Sequence, residues 1–263
     1  MEVYLIIIMK KLVINKDKNI GQVVFIVEGA STEFYILHKI FTKIFDYQYE
    51  AIKRNKPYKK YNSKVNPLSR VIVINTEESN IKFIDKDNDY LNNLFENLTD
   101  SYKLDINNAA IYYIFDRDVH SNTDSEFIRD LLSKLKNSRE NDDYYMQGLL
   151  LLSYPAIESF TLSNFDDNSY KSEFETGDEL KHHLHKQKMF QGRINEESII
   201  KSVEQFELAI KELGIDFYDI DDFFETNMDV FKYQEKFYAE HGKYKALSLL
   251  CVAFLDLQLI AFE

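Results

Sequence analysis

The chain has 263 residues, of which 32 are Lys or Arg and 44 are Asp or Glu, so its net charge is −12. This acidic balance excludes a protein that grips nucleic acid over its whole surface, although a local basic patch is compatible with it. The only cysteine, Cys251, excludes an intramolecular disulfide and every zinc site built from several cysteines. The seven glycines form neither a dinucleotide-binding fingerprint nor a phosphate-binding loop.

Signals for export or membrane insertion are weak. The apolar run at residues 4–9 is short for the core of a signal peptide, and no small-residue cleavage site follows it. The apolar run at residues 246–262 contains Asp256 and Gln258, so we expect a buried helix there rather than a membrane span. We therefore expect a cytoplasmic protein without a membrane partner, in which Cys251 is an inert core thiol.

Four short apolar runs predict buried strands, at residues 23–27, 71–74, 110–115 and 149–152. They are apolar on both faces, which is typical of central strands in a parallel sheet covered by helices. Helical patterns lie between them, over about 32–45, 81–98 and 124–135. The alternation predicts an α/β fold with a mostly parallel sheet flanked by helices.

The last hundred residues differ in pattern from the first part of the chain. Segments 177–190, 196–213, 219–240 and 242–262 have helical spacing, and the strand signal fades. We therefore predict an α/β domain at 1–165, with a basic insertion at about 46–69, and an all-helical C-terminal region at 166–263.

Acidic residues follow three of the four predicted strands. Glu28 follows the first, Asp116 and Asp118 follow the third, and Glu158 lies six residues past the fourth. Because the carboxyl ends of parallel strands share one edge of a sheet, we expect these carboxylates to converge there. Oxygen ligands without cysteine indicate Mg²⁺ or Mn²⁺. The alternative is that each acid merely starts a turn or caps a helix.

These segments also resemble a known family. The stretch from Val23 to Glu33, a strand leading into Glu-Gly and then Thr-Glu, resembles the first Toprim motif, and Ile111 to Asp118 resembles the second, Asp-x-Asp. Residues 151–160 resemble the S-x-P-x-x-E-x-aromatic segment of RloB-like phage-defence Toprim proteins, and the nucleases of the OLD family use a comparable third acid. The resemblance covers about residues 20–165 and implies a Toprim-like (Rossmann-like) fold.

The resemblance also implies roles for the acids. Glu28 would be a metal ligand or the general base, Asp116 and Asp118 would hold the divalent ion, and Glu158 would complete a second metal position. Glu33 is a lesser metal candidate, since an acid in the first turn of a helix also suits the helix dipole. The family often has a lysine after the third acid, and the sequence leaves three positions open for it: Lys171, Lys181 and Lys186.

The insertion at 46–69 carries a concentration of basic residues in this acidic chain. Its candidates for substrate binding are Lys53, Arg54, Lys56, Lys59 and Lys60, to which we add Arg117 of the Asp-Arg-Asp motif. Tyr58 and Tyr61 are interleaved with them, as expected of an arm that stacks on unpaired bases while its lysines meet phosphates. A solvated surface loop is the alternative. His182 and His185 are spaced to share a metal, but their cationic neighbours favour an exposed helix face.

The resulting prediction is a metal-dependent Toprim endonuclease that cleaves nucleic acid. Resemblance alone adds RNA, tRNA in particular, as a substrate favoured over DNA, a toxic role in abortive-infection defence against phage, an ATPase sensor as partner, and a homodimer. Two alternatives stay open. One is a Toprim-like module that binds nucleic acid or a partner without catalysis. The other is a haloacid-dehalogenase-like phosphatase with Asp116 as nucleophile and Asp118 as general acid.

Overall fold

The computed structural model describes residues 11–29, 31–51, 58–76, 93, 96–101, 103, 108–118, 123–139, 148–215, 220 and 223–263. The strands within these ranges are β1 (Leu12–Ile14), β2 (Gln22–Val27), β3 (Tyr47–Glu50), β4 (Tyr58–Ser63), β5 (Arg70–Asn75), β6 (Ala110–Asp116), β7 (Lys136–Asn137), β8 (Gly148–Tyr154), β9 (Glu173–Phe174), β10 (Tyr244–Lys245), β11 (Leu247–Ser248) and β12 (Ile260–Phe262). The α-helices are α1 (Thr32–Lys43), α2 (Ser125–Lys134), α3 (Glu158–Phe165), α4 (Gly177–Lys186), α5 (Glu196–Glu212), α6 (Phe223–His241) and α7 (Leu250–Asp256).

The main sheet has the strand order β11-β8-β6-β2-β5-β4-β3, with β7 paired to β8. The four strands predicted from sequence are its centre, β8-β6-β2-β5, and they run parallel to one another. Their side chains are almost completely buried on both faces, as in β2, where Val23 to Val27 are fully buried. The α/β class and the parallel centre are therefore confirmed.

The flanks of the sheet are antiparallel, which makes it mixed rather than mostly parallel throughout. On one side the predicted basic insertion folds as β3 and β4, and β4 pairs antiparallel with β5. On the other side β11 and β7 both run antiparallel to β8. The insertion therefore adds two strands to this edge of the sheet.

Packing places the two tyrosines of the insertion inside the protein. Tyr58 and Tyr61 are buried, and the ring of Tyr61 lies 5.7 Å from that of His38 and 6.0 Å from that of Phe41, both on α1. The expectation that these tyrosines stack on unpaired bases is therefore wrong. Tyr61 joins the sheet to α1 through these aromatic contacts instead.

The all-helical C-terminal region is the second incorrect expectation. Helices α4, α5 and α6 lie close to the predicted segments, but the predicted helix at 242–262 is divided into β10, β11, α7 and β12. Residues 249–255 are almost completely buried. A segment that is apolar on every side has no period with which to distinguish strand from helix. Strand β12 pairs antiparallel with β1 at the other end of the described chain.

The core runs across the boundary predicted near residue 165. Phe254 on α7 packs against Phe41 and Phe45 of the N-terminal part and against Phe160 of α3. The division into 1–165 and 166–263 stays a prediction, with extensive apolar packing between its two halves. Cys251 is buried beside Phe254, and burial raises the pKa of its thiol, as expected of a core residue.

Local signals explain where several helices begin. Asp124 caps α2 by accepting a hydrogen bond from the main-chain N–H of Phe127, and Asn195 forms a reciprocal capping box with Ser198 at the start of α5. The predicted helix at 81–98 falls mostly outside the described residues, and Asn97–Ser101 forms a π-helical turn. Within the part of the chain that the structure describes, no helix is long and apolar enough to cross a membrane.

Candidate active site

The predicted acids lie at one edge of the sheet. Glu28 directly follows β2, Asp116 ends the neighbouring strand β6, and Glu158 begins α3 after the next strand, β8. The main-chain N–H of Asp116 donates a hydrogen bond to Oε2 of Glu28 over 2.9 Å. The main-chain N–H of Ile157 donates to Oδ1 of Asp116 over 2.7 Å. These two bonds tie the ends of three adjacent parallel strands together.

Glu33 belongs to the same cluster through the loop between β2 and α1. Its Oε1 accepts a hydrogen bond of 3.1 Å from the main-chain N–H of Gly29, and its side chain is buried. A Cβ atom at position 29 would lie 2.8 Å from Oε2 of Glu33, closer than such atoms approach. The glycine of the Glu-Gly pair therefore leaves room for the Glu33 carboxylate in this position, which a side chain at position 29 would displace.

Burial and mutual repulsion raise the pKa values of these acids. Desolvation raises the pKa of Glu28 to about 8, with further contributions from the charges of Glu33 and Asp118. Desolvation also raises the pKa of Asp116 well above its usual range, with the charges of Glu28, Glu33 and Glu158 acting in the same direction. Such a concentration of shifted carboxyl groups is typical of functional sites.

Glu158 has a buried carboxylate oxygen, Oε2, that makes no hydrogen bond. Burial raises its pKa, while the positive charge of Lys181 on α4 acts in the opposite direction. Of the three lysines that the sequence left open, Lys181 is therefore the one with an electrostatic link to the third acid.

Asp118 takes a more peripheral place than the other acids. It is half-buried two residues beyond the end of β6, and its charge helps to raise the pKa of Glu28. Residues 119–122 that follow it lie outside the described part of the chain. Asp118 thus lies at the edge of the acidic cluster and acts on it through its charge.

Arg117 does not have the position of a substrate-binding residue. Its guanidinium forms two hydrogen bonds of 2.8 Å with the carboxylate of Glu235 on α6, and its side chain is only 3% exposed. Successive residues of an extended chain point to opposite sides, so the side chain between the two aspartates turns into the protein. Its geometry indicates a structural role that fixes α6 to the sheet.

The basic residues of the insertion differ in what they contact. Lys60 forms an ion pair of 3.0 Å with Glu50 across the β3–β4 hairpin. The Nζ atom of Lys59 lies 4.6 Å from the centre of the Phe34 ring, and burial lowers the pKa of this lysine. Lys53, Arg54 and Lys56 lie outside the described residues. Of the two described candidates, Lys59 is therefore the one without an ion pair across the hairpin.

The described residues contain no group of three or more His, Cys, Asp or Glu side chains already arranged around a common metal position. The acids influence one another electrostatically without their oxygens being gathered at one point.

The histidines of α4 have other contacts. Nδ1 of His182 is hydrogen-bonded to the carbonyl of Asp178, and the ring of His185 lies 6.1 Å from that of Phe190.

A cleft of about 420 Å³ opens beside Glu158, and its walls contain residues that the sequence interpretation missed. Tyr35, Thr161 and Phe190 line it together with Lys181 and His185. A weak signal for Tyr35 was present, because it interrupts the apolar spacing of α1 with a large ring on the exposed side. Thr161 and Phe190 carry no comparable pattern in the sequence.

Comparison with known proteins finds no family model that matches the chain and no curated protein that matches its sequence. The resemblance to Toprim proteins therefore rests on the three acidic motifs and on the relation between them. Glu28, Asp116 and Glu158 follow three neighbouring parallel strands.

Proposed function

We propose that this chain is a divalent-metal-dependent nuclease of the Toprim type, which hydrolyses phosphodiester bonds in nucleic acid. The observation that carries the proposal is the hydrogen bond from the main chain of Asp116 to the carboxylate of Glu28. It joins the acids of the two Toprim-like motifs at the carboxyl edge of adjacent parallel strands, where α/β proteins bind their ligands. The next strand leads to Glu158, the third acid of the resemblance.

The donor set fits Mg²⁺ or Mn²⁺. Oε2 of Glu158 is buried without a partner, which is costly unless a ligand occupies it. Glu28 and Asp116 each commit one carboxylate oxygen to a main-chain N–H. The residues that would hold the ion are Glu28, Asp116, Asp118 and Glu158, with Glu33 as a lesser ligand. The metal would supply charge neutralisation at the phosphate during displacement by water.

The side chains of the site have further roles in this proposal. Burial raises the pKa of Glu28 to about 8 when no ion is bound. In this proposal Glu28 is either an ionised ligand of the metal or the group that exchanges a proton with the attacking water or the leaving oxygen. Lys181 contributes positive charge beside Glu158, where a phosphate would otherwise meet only carboxylates. Asp116 and Glu33 set the electrostatic environment in which that exchange takes place.

The biological setting is proposed from resemblance alone. RloB-like and abortive-infection proteins suggest a toxic effector of anti-phage defence in the cytoplasm, with RNA, tRNA in particular, favoured over DNA. An ATPase sensor is the expected partner, and a homodimer is a further expectation. None of these features has a counterpart among the described contacts.

The phosphatase alternative receives little support from the geometry. A nucleophilic aspartate attacks through a free carboxylate oxygen, and Asp116 is only partly exposed. Its Oδ1 atom is also occupied by the N–H of Ile157. The role of Glu28 beside it is left unexplained by that chemistry. A cleavage assay distinguishes the nuclease from the non-catalytic binding module.

The test is a cleavage assay on purified protein with Mg²⁺ or Mn²⁺ against bulk tRNA, single-stranded DNA and plasmid. We expect wild-type protein to cleave one of these substrates, and Glu28→Ala and Asp116→Ala to lose that activity. A wild-type protein that cleaves none of them, both alone and after addition of an extract from phage-infected cells, would contradict the proposal. Phosphatase activity that survives Glu28→Ala but is lost in Asp116→Asn would favour the phosphatase alternative.

A further inference from the structure

Two clefts adjoin beside the third acid and share the side chain of Tyr35. The first is the cleft of about 420 Å³ whose wall includes Glu158 and Phe190. The second, of about 280 Å³, is lined by Ser31, Tyr35, His38, Tyr49 and Lys59. Together they lead from the β3–β4 hairpin across α1 to the candidate active site.

The exposed aromatic side chains of the described residues all line these clefts. Tyr35 is 47% exposed, Phe190 is 46% exposed and Tyr49 is 39% exposed, and the other described tyrosines and phenylalanines are at least partly covered. Covering an exposed aromatic ring with a partner is favourable, because it removes apolar surface from water. Three of them along one path indicate a surface on which flat groups stack.

Positive charge accompanies the rings in a protein whose net charge is −12. Lys181 lines the first cleft and Lys59 lines the second. The nearest carboxylate partner of Lys181 is Asp178, at 3.7 Å and largely exposed, so this ion pair leaves the ammonium group accessible to a phosphate. Cations alternating with aromatic rings are the chemistry that binds a nucleic-acid strand.

The floor of the first cleft has two buried polar atoms without partners. They are Oε2 of Glu158 and Oγ1 of Thr161, which lie one helical turn apart on α3. Both residues are more than nine-tenths buried. Such atoms are costly in the absence of a ligand. The Glu158 oxygen is left for the metal of the proposed reaction.

We propose that the two clefts form one track for single-stranded nucleic acid. Its bases stack on Phe190, Tyr35 and Tyr49, and its phosphates face Lys181 and Lys59. The track would deliver a phosphodiester to Glu158, and in this respect it rests on the proposed nuclease function. A base can stack on a protein ring only when it is not stacked within a duplex, so the track selects unpaired strands.

The test is binding measured by fluorescence anisotropy in EDTA, where metal-dependent cleavage is absent. The probes are twelve-nucleotide oligouridine, oligodeoxyuridine and a blunt duplex of the same length. We expect the single strands to bind at least about tenfold more tightly than the duplex. The comparison of the two single strands reports whether the sugar is read.

Three variants, Tyr35→Ala, Tyr49→Ala and Phe190→Ala, remove the rings one at a time. Each is expected to weaken single-strand binding about fivefold or more, in line with the loss of one stacked base. Leu208→Ala is the matched control, because Leu208 is 40% exposed on α5 and lines neither cleft. Circular dichroism and thermal unfolding are used to check that every variant is folded.

Binding and cleavage test the two proposals separately. Equal affinity for duplex and single strand, no binding of either, or ring variants that bind like Leu208→Ala would overturn the track, whatever the cleavage assay shows. A wild-type protein that prefers single strands but never cleaves would overturn the nuclease and leave the track in place.

Discussion

Oε2 of Glu28 accepts a hydrogen bond of 2.9 Å from the main-chain N–H of Asp116. A glutamine at position 28 has a carbonyl oxygen that can accept the same bond while carrying no charge. We therefore expect Glu28→Gln to keep the fold and to reduce metal-dependent cleavage about 100-fold or more, because the metal-binding or proton-exchanging group is lost. Initial rates on the substrate that wild type cleaves provide the measurement.

Glu212→Gln is the control for this substitution, since Glu212 is an exposed acid at the end of α5. Its cleavage rate should stay within about twofold of wild type. A Glu28→Gln protein that cleaves at the wild-type rate would remove Glu28 from the mechanism.

Stability should fall as the pH rises through the window set by Glu28. The carboxyl group has an ordinary pKa of 4.5, and burial raises this pKa to about 8 in the folded protein. Between these values the folded state holds a proton that the unfolded state has released, so rising pH favours unfolding. The slope for one proton is at most about 1.4 kcal/mol per pH unit. Urea unfolding at several pH values in EDTA measures it.

Glu28→Gln supplies the comparison for the pH dependence. Because glutamine does not titrate, the variant should show a flatter decline of stability between pH 4.5 and 8. The raised pKa values of Asp116 and Glu158 act in the same direction and remain in the variant. Identical slopes for the two proteins would show that Glu28 does not carry the shifted proton.

A divalent cation should reverse this loss of stability. An ion held by the acids favours their charged forms, so Mg²⁺ or Mn²⁺ is expected to raise the melting temperature, and to raise it more at pH 8 than at pH 6. At a metal concentration 100 times the Kd, the gain is about 2.7 kcal/mol. Thermal unfolding with and without the ion measures it. A melting temperature of Glu158→Gln that does not respond to the ion would place Glu158 among the ligands, whereas a shift as large as that of wild type would remove it.

The pair formed by Arg117 and Glu235 predicts a large effect on stability. Glu235→Ala removes a carboxylate that forms two hydrogen bonds with the buried guanidinium, and we expect a loss of about 3 kcal/mol of unfolding free energy. Asp229→Ala breaks the exposed pair with Lys232 on the same helix and should cost less than about 1 kcal/mol. Urea unfolding compares the two. Similar losses in both variants would contradict the structural role given to Arg117.

The sequence was sufficient for the centre of the sheet because its four strands are apolar on both faces and bounded by polar turns. It was also sufficient to place Glu28, Asp116 and Glu158 at one edge, since this follows from parallel connectivity alone. The burial of Arg117 was hidden, because its partner Glu235 is 118 residues away along the chain.

The C-terminal segment was unpredictable for a different reason. From Leu249 to Leu255 every residue is apolar and buried, so the pattern carries no information about where a helix ends. The hairpin that buries Tyr58 and Tyr61 depends on pairing with β5, which no local signal among its lysines reveals. In both segments the structure depends on contacts with residues that are distant in the sequence.

The ladder between β1 and β12 has a consequence for how the protein is made. Leu12 pairs with Phe262 and Ile14 with Ile260, so the two strands meet across nearly the whole described chain. Strand β1 leaves the ribosome well before β12 and stays without its partner until residues 260–262 have emerged. Because closing so long a loop carries a large entropic cost, this ladder is expected to form late in co-translational folding, after the parallel centre of the sheet.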